Sequence, residues 1–189
     1  MIMDELECRS FFDRIRLFNF MAKDIVAFAA QKYGPEFFDY VDMNCGAMPD
    51  GEYEKVIDQG APMQFLELYS GMVMKRLELA SEKIMELGEG FDSVLKKYFF
   101  NEGKNFGIKK PESIGEAYGL VKTCALDSFS TKDEISLQNE KAMVWNKKSV
   151  AFPLYWTIVM ASLMAGIFES SPVEFSVSEN LEFCLKLKS

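Results

Sequence analysis

At 189 residues the chain is long enough to bury a core without disulfide or metal staples, and 49% hydrophobic with 26% charged residues is the balance of a globular protein. A net charge of −8 with only paired lysines (Lys96-Lys97, Lys109-Lys110, Lys147-Lys148) offers no basic stripe to a phosphate backbone, so no nucleic-acid partner is expected. Histidine is absent, which excludes His-activated nucleophiles and a proximal-His haem, and leaves proton chemistry to Asp, Glu, Lys, Tyr or Cys.

The first helix is expected in SFFDRIRLFNFMAKDIVAFAAQKYG, capped by Ser10 and ended by Gly34-Pro35. Phe11, Ile15, Phe18, Ala22, Ile25 and Phe28 recur at three and four, giving one apolar face. A shorter helix follows over 36–44, and CGAMPDGEYEK is a Gly/Pro-bearing break that serves as the candidate hinge. A long helix covers 62–87, with Phe65, Tyr69, Val73, Leu77, Ala80 and Ile84 on its dry side and Lys75, Glu78, Glu82 and Glu86 opposite. The next covers 91–106, burying Val94, Leu95, Tyr98, Phe99 and Phe106, and Pro111-Glu112-Ser113 begins another through 125.

The pattern then changes period. EISLQNEKAMVWN alternates on both sides of Asn139-Glu140, an antiparallel hairpin with a tight turn. PVEFSVSENLEFCLKLK is a second one, with Val173, Phe175, Val177, Leu181, Phe183, Leu185 and Leu187 on a dry face and Cys184 on the wet one. Two hairpins bracketing a helix make an α+β fold: a small antiparallel sheet packed on several helices, after a helical N-terminal half. Residues 1–60 form a helical extension and 61–189 the α+β domain, the two acting as one structural unit.

Between the hairpins, 150–168 carries no charge. A bilayer span takes about 20 apolar residues. Pro153 shortens the continuous helix to roughly 22 Å, and Thr157, Ser162 and Gly166 dilute it. A buried helix covering the dry face of the hairpin is the expectation, with no membrane span. Trp156, Met160, Met164 and Phe168 on that helix, with Phe175 on the following strand, are the candidate ligand-binding residues. They are bulky and deformable enough to wall an apolar cavity.

Three stretches, YFFNEGKNFG, EISLQNEKAMVWNKKS and YWTIVMASLMAGIFESSPVEFSVSE, make the C-terminal half similar to the 4-vinyl reductase and TRAPP-like (NO signalling and Golgi transport) ligand-binding domain superfamily. The resemblance implies a dimeric module that binds a small aromatic or acyl ligand as a sensor, or serves as an enzyme or assembly subunit. Its sensory members carry a Glu/Cys zinc site near the C-terminal hairpin. Here Leu154-Tyr155 stands where a Cys would precede the helix, and Val177 and Asn180 fall where the Glu and the first Cys are expected. Cys184 alone cannot make a four-ligand zinc site, so no metal is expected.

Other constellations are weak. Cys8, Cys45, Cys124 and Cys184 are scattered without a C-x-x-C, and MIMDELECRS lacks the cationic start and apolar run of a secretory signal. A reducing cytoplasm is the expected setting. Asp39 and Asp42 beside Cys45 push against a thiolate. Cys124 has Lys122 near but no base. GEGF and GKNFG lack the Gly-Lys-Ser/Thr of a phosphate loop, and Glu78, Glu82, Glu86 and Glu89 lack the alternating ligands of a calcium loop. The expected function is a non-catalytic, cofactor-free small-molecule-binding or regulatory module, working as a homodimer. The alternatives are a small hydrolase or reductase using Cys124, Tyr155 or a displaced Glu, and a plain assembly subunit.

Overall fold

A computed structural model describes residues 4–49, 51–58, 60–127, 133–147 and 151–188. The fold is α+β, with a helical N-terminal half and one four-stranded antiparallel sheet. The chain divides into two compact units, Met1–Ile84 and Met85–Ser189, so the division falls well past the 60/61 boundary drawn from the sequence.

The first unit is helical: α1 (Glu5–Tyr33), α2 (Glu36–Cys45), the single turn α3 (Tyr53–Val56) and α4 (Pro62–Met85). Helix α1 starts before the expected Ser10. Asp4 accepts from the Glu7 amide while the Glu7 side chain accepts from the Asp4 amide, so the first turn is capped reciprocally. Phe11, Phe12, Ile15, Phe18, Met21, Ala22, Ile25, Val26 and Ala29 are buried along it. That stripe is one apolar face at helical period. Phe28, expected with them, is half-buried. At the far end Gly34 takes φ 95°, a conformation that favours glycine, and turns the chain sharply into α2. Helix α4 buries Leu66, Tyr69, Val73, Leu77, Ala80 and Ile84, and Phe65 is only half-buried.

The second unit contains α5 (Phe91–Lys104), α6 (Ile114–Cys124), β1 (Asp133–Gln138), β2 (Ala142–Lys147), a π-helical segment (Tyr155–Met160), α7 (Ala161–Ile167), β3 (Val173–Val177) and β4 (Glu182–Leu187). Ser113 caps α6, its hydroxyl accepting from the Glu116 amide, so Pro111 and Glu112 lie before the helix. The hairpins join as one sheet in the order β1-β2-β4-β3. Its buried face pairs Trp145 with Phe183, Met143 with Leu185 and Phe175 with Leu185. Val144 and Ser176 flank the half-buried Cys184 on the other face, where Glu174 and Lys186 form an ion pair at 2.7 Å. The β1–β2 connection runs through three residues because the Asn139 side chain accepts from the amides of Lys141 and Ala142, both at 2.9 Å.

Other expected placements differ too: Tyr98, Phe106 and Val177 are half-buried. Val94 lies 47% exposed on α5, and Leu187 is 38% exposed near the chain end. Leu181 leaves the dry face because it is a turn residue with φ 59°, its amide donating to Ser178. The charge-free run begins its helix at Pro153, as expected, but winds as a π-helix through Met160 before tightening. Among the described residues no helix is long and apolar enough to cross a membrane.

Glycines fix how closely the helices of this unit approach. A Cβ at Gly103 would overlap the Leu163 carbonyl oxygen and lie 3.0 Å from its carbon; one at Gly166 would overlap the Phe100 carbonyl. The two glycines are therefore reciprocal, letting the α5 and α7 backbones touch.

Candidate functional site

The α1–α2 corner builds an open aromatic cleft in the first unit. Tyr33 ends α1, and Phe37 and Tyr40 follow on α2 one turn apart. Their rings form a ladder: Tyr33 and Phe37 stack with centroids 5.4 Å apart and planes 22° apart, Phe37 and Tyr40 at 5.8 Å and 28°. Two other pairs of the unit, Phe12–Tyr53 and Phe65–Tyr69, meet edge to face at 72° and 61°. The Tyr33 hydroxyl donates to the Lys83 carbonyl at 2.8 Å, which pins the end of α1 to the end of α4. Phe37 is buried, whereas Tyr40 is 41% exposed at the open end of the ladder. Glu36 and Lys83 complete the lining of a cleft of about 360 Å³, within the range of small-molecule sites.

The candidate residues read from the sequence lie in the other unit, and the fold gathers them into its core. Met160 and Met164 are fully buried, and Trp156, Phe168 and Phe175 are buried with them. None of them lines the clefts at α1–α2 and at α6. What borders them is a buried ionic cluster that sequence reasoning missed. The Lys147 ammonium donates to Asp127 at 2.7 Å and Asp133 at 3.3 Å. It also sits 4.6 Å above the Trp156 ring and 5.9 Å from the Phe183 centroid. Asp133 further accepts from the Tyr118 hydroxyl at 2.6 Å and pairs with Lys122 at 3.2 Å. Burial alone would push the Asp133 carboxyl up, but Tyr118, Lys147 and Lys122 together hold it below the usual carboxylate range. Burial, and then the bond to Asp133, push the Tyr118 phenol well up, so it remains a donor. Tyr118 also walls a cleft of about 600 Å³ with Ser113, Ile114, Gln138, Asn139 and Met143. Strand pairing places Asp133 opposite Lys147, and the alternation of β1 and β2 was the available signal.

Asp42 accepts from the buried Arg76 guanidinium at 2.5 Å, and Asp39 is exposed. Burial pushes the Cys45 thiol up in spite of Arg76 and Lys75, which offset only part of it. Cys124 is buried, and the Tyr155 hydroxyl accepts from the Leu126 amide at 3.1 Å. None of the four cysteines is in a disulfide. Cys184 on the outer sheet face has its thiol pushed up by burial and then by Glu182. Among the described residues no group of three or more Cys, Asp or Glu is placed to hold a metal ion. No family model, curated protein or solved structure matches the chain.

Proposed function

We propose that the chain is a non-catalytic small-molecule-binding module for an apolar or aromatic ligand, with the ligand seated in the α1–α2 cleft. The observation that carries this reading is the ring ladder of Tyr33, Phe37 and Tyr40, held rigid at one end and open to solvent at the other. A rigid flat apolar wall costs little ordering entropy when a ligand lands on it. Trp156 and the candidate residues around it are buried, whereas the ladder reaches solvent at Tyr40. Four cysteines outside any disulfide support a reducing, cytoplasmic setting. Exposed Leu6, Leu17 and Phe20 along α1 support self-association as a homodimer. The kinship with 4-vinyl reductase-like modules belongs to the same proposal, supported by the helix–hairpin–helix–hairpin order of the second unit.

Native mass spectrometry before and after denaturation tests it. The expected result is an organic molecule released from the wild-type protein and lost on Tyr40→Ala, a substitution at a half-exposed ring that leaves the fold intact. Wild-type protein that carries no small molecule, and takes up none from a desalted metabolite extract, refutes it.

A further inference from the structure

The rim of the α1–α2 cleft selects among aromatic ligands. Resting on the reading of that cleft as the ligand site, we infer that it takes a planar heteroaromatic ring bearing a ring N–H donor and a carbonyl acceptor, in preference to a bare hydrocarbon. Three observations converge on this class. The exposed Tyr40 ring continues a near-parallel stack, so the next member that fits on it is another flat ring. The Tyr33 hydroxyl already donates its proton to the Lys83 carbonyl, so a ligand carbonyl must find its donor in another group. The polar groups at hand are of opposite sign: Glu36 and Lys83 both line the cleft. Glu36 opens α2 and folds its carboxylate back over the Gly34 turn, against the space a Cβ there would need. Glu36 thus brings an acceptor group to the cleft it lines. A ligand edge with one donor and one acceptor matches this pair, whereas an anion alone would meet Glu36 and a cation alone Lys83.

Saturation-transfer NMR on the full chain distinguishes this class from the broader reading, with indole-2-carboxamide as the heteroaromatic probe and naphthalene as the hydrocarbon. Indole-2-carboxamide is expected to bind at least tenfold more tightly than naphthalene. Glu36→Ala and Lys83→Met should each weaken it about tenfold, the scale of one hydrogen bond to a charged group. Naphthalene binding should be unchanged by those two substitutions, and Tyr40→Ala should abolish both signals. If naphthalene equals the carboxamide and both depend on Tyr40, the cleft stands and the heteroaromatic selectivity is overturned. If neither probe binds, or both bind equally well to Tyr40→Ala, the cleft itself is refuted along with it. Circular dichroism of each variant matching wild type shows that lost binding is not lost folding.

Discussion

A lysine with a side chain only 2% exposed, between carboxylates 8% and 4% exposed, is the most consequential single residue of the second unit. Removing one partner of a buried ion pair leaves charge without compensation and costs about 3–5 kcal/mol. Lys147→Met should therefore lower the stability of the chain by that amount, read from the urea midpoint, because Asp127 and Asp133 lose the ammonium they share. Adding Asp127→Asn to Lys147→Met should recover part of the loss, since one buried charge goes with it. The same cluster sets an acid limit. The folded Asp133 carboxyl titrates below its unfolded value of about 3.9, so its contribution is complete above that pH and disappears as pH falls through the lower folded value. Asp133→Asn should flatten that acid limb of stability against pH, and an unchanged limb would show that other carboxylates govern it. None of this was legible in the sequence beyond the alternation of the hairpin. Lys147-Lys148 stands there only as one of three lysine pairs, and the sheet register and the Trp156 ring are what turn Lys147 inward.

At the scale of elements, hydrophobic period located most helices and strands correctly, because the amphipathic faces of α1, α4 and the two hairpins are what the core requires. It failed where local bonding competes with period. The Asp4–Glu7 capping box moved the start of α1 ahead of Ser10. At the start of the charge-free helix, Thr157 donates to the Pro153 carbonyl at 2.9 Å, beside the π-helical turns. In the sequence Gly166 only dilutes the apolar run, and the α5 backbone it meets around Phe100 and Gly103 is far from it along the chain, so only the fold pairs them. That pairing makes a sharp prediction. Alanine at Gly166 gains about 1 kcal/mol of helix propensity, but its Cβ must displace the Phe100 backbone, which cannot yield as a flexible side chain would. Overpacking costs typically 1–3 kcal/mol or more, so Gly166→Ala should destabilise on balance. Gly119→Ala on α6, with open space around the new Cβ, should stabilise by about 0.5–1 kcal/mol. Thermal unfolding midpoints that move the same way for both variants would refute the backbone contact.

At the scale of the molecule, the question is whether the second unit owns a complete core. Met85–Ser189 contains the whole sheet and the helix that backs it, and buries Leu95, Phe99, Trp145, Tyr155, Phe168, Phe183 and Leu185. Roughly one hundred residues suffice for an independent domain. Its edge strand β1 is mostly exposed, with Ile135 and Leu137 each nearly half open to solvent. A register irregularity between these two residues and the inward carboxylate of Asp133 break the flat edge that would invite pairing with another chain. The fragment 85–189 should accordingly fold alone, unfold cooperatively in urea and stay monomeric, as sedimentation would show. Within that fragment Asp133→Val should leave the sheet an apolar edge and produce association that grows with concentration. A fragment that is unfolded by circular dichroism would mean that this core is incomplete without residues 1–84. A folded fragment that associates already as wild type would mean that the bulge and the inward charge do not protect the edge.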